Sequence, residues 1–187
     1  TGGPSVFMQY WVMKTAKEAG LIVMLDGQGG DETLLGYERY YPALFLEWLR
    51  KGRLGTAAAE FVAAARNSKL SLREVGLYSA YFLLAWPRKM RLKNRFPDFP
   101  PELLKQTFSH IDELTRAFRA TDTMQAAEIS RFQLPHLLKY EDRNSMAWSV
   151  EARVPLVDHE LVEAALTLKP EDKIRNGYTK WALRKTM

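Results

Sequence analysis

Cysteine is absent from the 187 residues. That excludes disulfides, zinc–thiolate sites and cysteine nucleophiles within the chain. Histidine occurs three times. His136 and His159 have no partner at metal-ligand spacing, so both read as surface or hydrogen-bonding residues. No apolar run reaches the roughly 18 residues of a membrane span, and no signal peptide opens the chain. A cytoplasmic setting, without a membrane partner, is the expectation. Internal repeats and low-complexity tracts are missing too. So is any dense basic stripe: the formal charge is +5 and the pI about 9.4. Such a mild excess helps attract small anions but does not mark a nucleic-acid binder. The densest cationic cluster, Arg88, Lys89, Arg91, Lys93 and Arg95, reads as a solvated linker face.

What the chain does have is the material of a globular domain. Apolar residues make up 47% and charged residues 26%, enough for one domain with a core. The apolar run Leu21-Ile22-Val23-Met24-Leu25 reads as a buried strand of a parallel sheet. Directly after it comes LDGQGGDE, residues 25–32. Gly27, Gly29 and Gly30 strip the strand end of side chains, and Asp31 and Glu32 stand where a helix should begin. Ligands of open α/β sheets bind at the carboxyl ends of strands. A bare backbone with an adjoining acid suits a nucleotide phosphate and its magnesium. Glycine turns also serve geometry alone, and acids at a helix start complement the macrodipole. Three glycines followed by two acids exceed what capping needs.

Around that strand the pattern is helical. Residues 5–19 carry apolar positions at Val6, Tyr10, Met13 and Ala16, with Gly20 as a stop. A helix is expected from Glu32 to Tyr41, interrupted at Pro42 and resumed to Arg50. Residues 56–67 form an alanine-rich helix. Residues 71–84 form another, opened by a Ser71/Glu74 capping box. Residues 87–101 mix Pro, Arg, Lys and Asn and read as an extended loop. Helices follow at 109–120, 124–132, 136–148 and 158–168, and Thr179 starts a last one. One strand cannot make a sheet, so its partners are expected upstream of this chain rather than in a second copy.

Two further stretches carry polar groups in unusual places. Residues 134–162 set Glu141, Asp142, Arg143, Glu151, Arg153 and Asp158 among Met146, Trp148, Val150 and Val154, so some charges should be buried and paired. Lys180 stands near the start of its helix, the disfavoured end for a cation. A phosphate would account for that, and a solvated lysine equally so. Tyr37 and Tyr41 read as core residues on one helix face.

Together these blocks resemble the synthetase domain of glutamine-dependent asparagine synthetases. LDGQGGDETLLGY is similar to that family's SGxGxDExxxGGY, and DRNSMAWSVEARVPLVDHELV to its SMxxxxExRxPFLDxxLV signature. KIRNGYTKWALRK resembles the lysine-bearing segment that follows. The likeness spans residues 1–187, loosely over 52–123. It implies an α/β fold: the helix-rich C-terminal part of a doubly wound ATP-pyrophosphatase domain, the adenine nucleotide alpha-hydrolase-like type, mostly α within this piece.

The resemblance further implies a ligase that adenylates a carboxylate with ATP and magnesium, after which ammonia displaces AMP. Ammonia would come from glutamine through a separate N-terminal glutaminase domain, which is compatible with a homodimer built through that domain. Neither that domain nor the family's SGGxDS phosphate loop is in this sequence; Thr1-Gly2-Gly3-Pro4 is not that loop. The piece alone is therefore expected to be inactive. By motif, Lys180 and Asp31 are the catalytic residues, with Asp31 on the metal. Gly27, Gln28, Gly29 and Asp31 contact the nucleotide, and Glu32, Glu151 and Arg153 shape the site from behind. The family's first serine is Asp26 here, and the acid usual in aspartate-using members is Gln28. Aspartate as acceptor is thus in doubt. Lactam-closing relatives, sugar- or peptide-amidating relatives and a non-catalytic nucleotide-binding module stay open.

Overall fold

The computed structural model describes residues 3–187. Thr1 and Gly2, half of the stretch compared above with a phosphate loop, lie outside the described residues. In chain order, α1 (Pro4–Glu18) leads through Gly20, at φ +78°, into β1 (Val23–Leu25). The glycine loop then gives a single helical turn, α2 (Gly30–Thr33). A 3₁₀ turn (Glu38–Tyr40), α3 (Tyr41–Arg50), α4 (Leu54–Asn67), α5 (Leu72–Leu83) and α6 (Ala85–Arg95) follow. Next come α7 (Pro101–Ala117), α8 (Thr121–Ser130) and α9 (Leu134–Met146). The chain closes with β2 (Glu151–Arg153), a 3₁₀ turn (Pro155–Val157), α10 (His159–Thr167), α11 (Pro170–Lys173) and α12 (Trp181–Thr186). None of the described helices is long and apolar enough to cross a membrane.

Two compact units divide these elements. The first comprises residues up to Thr33 together with Ala126–Thr167. Its sheet is two-stranded: β1 runs parallel to β2, with Val23 opposite Glu151, Met24 opposite Ala152 and Leu25 opposite Arg153. The expectation that β1 would find its partners only upstream is corrected here. β2 escaped notice because EAR is short, charged and outward-facing, with none of the β-branched enrichment that marks a strand. The expectation of a buried strand is corrected as well, since Val23 and Leu25 are exposed. α1 packs on α9, where Asn144 donates to the Val6 carbonyl at 2.9 Å and Tyr10 meets Trp148 with ring centroids 5.2 Å apart.

The second unit comprises Leu34–Gln125 and Leu168–Met187. Its core gathers Tyr40 of the 3₁₀ turn, Tyr41, Leu44, Phe45 and Trp48 of α3, Ala64 of α4, Val75 of α5 and Met124 of α8, with Leu35, Phe118 and Ile174 from outside the helices. The Ser71/Glu74 capping box forms, each side chain reaching the other's backbone N–H at 3.3 and 2.7 Å. It stabilises the start of α5 by about 1 kcal/mol. Two expectations fail for one reason, the tolerance of proline in a first helical turn. Pro42 does not interrupt a helix but sits in the first turn of α3, the break falling earlier, at Leu35 with φ +53°. Pro87 sits in the first turn of α6, so most of the expected loop is helix. Nor is the basic cluster uniformly solvated. Arg88 is buried, donating to the Phe82 carbonyl and the Thr115 hydroxyl, while Lys89 pairs with Asp112 at 2.6 Å.

Candidate active site

The carboxyl end of β1 is built by hydrogen bonds that leave little choice of conformation. Asp26 N–H donates to the Arg153 carbonyl at 2.8 Å, prolonging the parallel ladder by one residue. The chain then turns: Gln28 N–H donates to Asp26 Oδ1 at 3.2 Å, and Thr33 N–H to the Gly29 carbonyl at 2.8 Å. Gly29 stands at φ +83°, where an added Cβ would lie 2.2 Å from Val157 Cγ2. This glycine is therefore demanded by packing as well as by backbone conformation. Gly27 has nothing within 4 Å of the corresponding position and leaves an open backbone. Asp31 is half-buried in the turn, and Glu32 is buried. Thr33 donates its hydroxyl to the Leu156 carbonyl at 3.2 Å, tying the turn to the segment after β2.

Gly27, Gln28, Gly29, Asp31 and Glu32 thus share one turn, and Glu151 and Arg153 lie on the neighbouring strand. The latter two point the same way along β2, exposed, and form an ion pair at 2.8 Å. No cluster of three or more His, Asp or Glu side chains suited to a metal occurs among the described residues.

The same unit holds a carboxyl that the sequence did not single out on its own. Glu141, on α9, is 3% exposed, accepts from the Gln9 amide of α1, and has an Oε1 that no donor reaches. Burial pushes its pKa up to about 7, aided by the neighbouring Asp26 carboxyl and opposed by a hydrogen bond from Gln28. A carboxylate in that position is costly, and protonation of Glu141 removes the cost. Gln28 and Gln9 also line a small cavity of about 90 Å³ with Tyr140 and Val6. The signal available in the sequence was a glutamate one turn before Ser145, itself buried, on an otherwise amphipathic helix.

Lys180 belongs to the second unit. It stands near the start of its helix, as expected, but that helix begins at Trp181 rather than Thr179, so Lys180 is the residue just before α12, with a left-handed φ of +53°. Upstream, Arg175 and Tyr178 exchange backbone hydrogen bonds at 2.9 and 3.1 Å across Asn176 and Gly177. Both central residues have positive φ, which defines the type I′ turn that an Asn-Gly pair favours. Downstream, Arg184 Nε donates to the Thr179 carbonyl at 2.9 Å. A cleft of about 480 Å³ opens beside this turn, with Tyr37, Tyr41, Lys69, Tyr178 and Arg184 in its wall. Tyr41 is a core residue as expected, but its hydroxyl is used: it donates to the Gly177 carbonyl at 2.7 Å.

A glycine turn closed by two acids at a parallel strand's end, on a chain with this signature, places the protein in a class, and comparison with known sequences gives that class its family. The chain belongs to the asparagine synthase family, whose model matches residues 1–187. Among curated proteins it is similar to asparagine synthetase [glutamine-hydrolyzing] 1 of Bacillus subtilis (strain 168), 28% identical over 195 residues. That alignment covers 97% of this chain and 30% of the relative, so the chain spans about a third of the relative's length. No solved structure matches.

Proposed function

We propose that the complete protein joins nitrogen to a carboxylate through an acyl-adenylate, on a domain of the ATP-pyrophosphatase type. The acceptor's carboxylate oxygen attacks the α-phosphorus of ATP, and the bond to pyrophosphate breaks. Ammonia nitrogen, released from glutamine by a separate glutaminase domain, then attacks the acyl carbon. AMP leaves with the C–O electron pair, and the nitrogen gives up a proton. The open backbone at Gly27, with Gln28 and Gly29, meets the nucleotide. Asp31 would hold magnesium, which screens phosphate charge when bound. A lone protein carboxylate completed by phosphate oxygens is how magnesium is commonly held, so the lack of a three-residue cage among the described residues fits. Lys180 neutralises charge as it builds on phosphorus. Glu32, Glu151 and Arg153 shape the turn from behind. A cytoplasmic enzyme, dimeric through its glutaminase domain, suits this reading.

The observation that carries it is the acid-closed glycine turn at the end of β1, in a chain matched throughout by the asparagine synthase family. The acceptor is less tightly drawn. Gln28 offers an amide where aspartate-using relatives have an acid, so a different carboxylate, amidated or closed to a lactam, competes with aspartate. Carboxylate-dependent ATP–pyrophosphate exchange by the complete protein, over a panel including aspartate, tests both points. Asp31→Asn and Lys180→Ala should each lower exchange by about 10²-fold or more. Wild-type exchange in both variants removes these assignments.

Asp26 and Gln28 favour a second reading, a non-catalytic nucleotide-binding module. Calorimetry with Mg-ATP separates the two. Absence of binding by the complete protein at millimolar nucleotide counts against catalysis, and binding without exchange on any carboxylate supports the module.

A further inference from the structure

The turn that precedes Lys180 is held at every backbone hydrogen-bonding group of its two central residues. Asn176 N–H donates to Glu60 Oε1 at 2.7 Å, and Gly177 N–H to Glu60 Oε2 at 2.9 Å. The Asn176 carbonyl accepts from Asn67 Nδ2 at 2.8 Å, and the Gly177 carbonyl from the Tyr41 hydroxyl at 2.7 Å. Three side chains on α3 and α4 therefore take up two donors and two acceptors, with one carboxylate serving both donors. Backbone packing fixes the remaining freedom. A Cβ at Gly177 would stand 2.2 Å from the Ala63 carbonyl oxygen and 2.5 Å from Ala64 N. The small residues of α4 are what let the turn lie against helix backbone.

We propose that Glu60 is a positioning residue for Lys180, its carboxylate clamping the Asn176–Gly177 turn so that the lysine three residues on is held where charge develops. Nothing in the sequence motifs includes Glu60, which lies in the loosely matching stretch 52–123. A network with four good contacts to two adjacent residues specifies one arrangement more sharply than burial alone. Lys180 follows without a helical turn between, its own backbone left-handed and its carbonyl accepting from Arg184 N–H at 3.0 Å. An error at Gly177 is therefore passed on to the lysine rather than absorbed. Misplacing a reacting group by about 1 Å costs on the order of 10²-fold in rate.

This inference rests on reading Lys180 as the cation that faces phosphorus, so the experiment treats the two separately. Carboxylate-dependent ATP–pyrophosphate exchange is measured on the complete protein, per folded molecule, for Lys180→Ala, Glu60→Ala, Asn67→Ala and the Lys180→Ala/Glu60→Ala pair. Glu60→Ala should lower kcat by about 10²-fold with KM for ATP within about threefold, because ground-state binding is not what the clamp supplies. Asn67 is exposed, so its loss threatens folding little; a kcat loss of about fivefold is expected. In the Lys180→Ala background, Glu60→Ala should cost nothing further, since the group it positions is gone. Wild-type exchange by Lys180→Ala would sink the reading of the lysine itself. If Lys180→Ala is crippled while Glu60→Ala and Asn67→Ala keep the wild-type kcat, the positioning role falls and the reading stands. Losses that multiply in the double variant overturn positioning equally, because they place Glu60 in an independent role.

Discussion

Glu141 lies beside Asp26 at the foot of the glycine turn, and it holds its proton to higher pH than a solvated glutamate would. Burial is the largest cause, followed by the hydrogen bond with Asp26 and then its charge, together raising the Glu141 pKa to about 7 from an ordinary 4.5. Between those pH values the folded chain binds more protons than the unfolded one. The contribution of Glu141 to stability therefore falls as pH rises through that window and is lowest above it.

Glu141→Gln keeps the shape and removes the titration. Its thermal midpoint is expected to vary less between pH 5 and pH 8 than the wild type's, and to be higher at pH 8. The gain is on the order of 2 kcal/mol, or about 4–8 °C for a chain of this length. Calorimetric melts across that range check it. Parallel pH profiles for variant and wild type would remove Glu141 as the source.

Gly29→Ala introduces a Cβ 2.2 Å from Val157 Cγ2 and 3.2 Å from Leu134 Cδ1, at φ +83°. A loss of about 2–3 kcal/mol is expected from strain and overpacking together. Because the obstacle is a side chain, adding Val157→Ala should recover part of it. Urea unfolding of the single and double variants measures the recovery, and its absence would assign the cost to backbone alone.

Gly177→Ala meets the backbone of α4 instead, 2.2 Å from the Ala63 carbonyl oxygen. Helix backbone cannot step aside as Val157 can. This variant should lose more than Gly29→Ala, about 4 kcal/mol or above, with no companion substitution in α4 able to restore it. Urea midpoints below that of Gly29→Ala are the expected result.

Lys173 is fully buried on α11, its ammonium donating to Gln125 Oε1 at 2.5 Å. Burial pulls its pKa below the usual lysine value, against the opposing pull of Asp122 and Glu47. Over the window between the lowered and the ordinary value, the unfolded chain binds the proton more tightly, so stability rises with pH there. Lys173→Met should abolish that part of the alkaline rise. At pH 7 it should change stability by no more than about 1 kcal/mol, since losing the charge offsets losing the hydrogen bond. Thermal melts from pH 7 to pH 10 decide it.

Local chemistry was legible wherever it was decided locally. The alanine-rich α4 and the capped α5 announce themselves by composition and by the Ser71/Glu74 spacing. The glycine turn after β1 was legible too, because strand end, glycines and acids are contiguous. Pro42 and Pro87 misled because a proline marks either a break or a first turn, and only tertiary packing chooses between them. β2 was hidden because a three-residue strand owes its existence to β1, 128 positions away in register. Glu60 was invisible: an acid on an alanine-rich helix reads as solvated until the turn it binds, more than a hundred residues on, is brought to it. The Asn176-Gly177 pair was the one legible clue, since that dipeptide favours a type I′ turn over the continuous helix start expected near Lys180.

The chain passes between its two compact units three times, near residues 33, 125 and 167. Genetic dissection is constrained by that itinerary. No single truncation liberates either unit, because each is assembled from two separated stretches of sequence. A deletion series from either end should yield insoluble or unfolded products long before it reaches a boundary. Isolating the glycine-turn unit requires both excising residues 34–125 internally and removing residues 168–187.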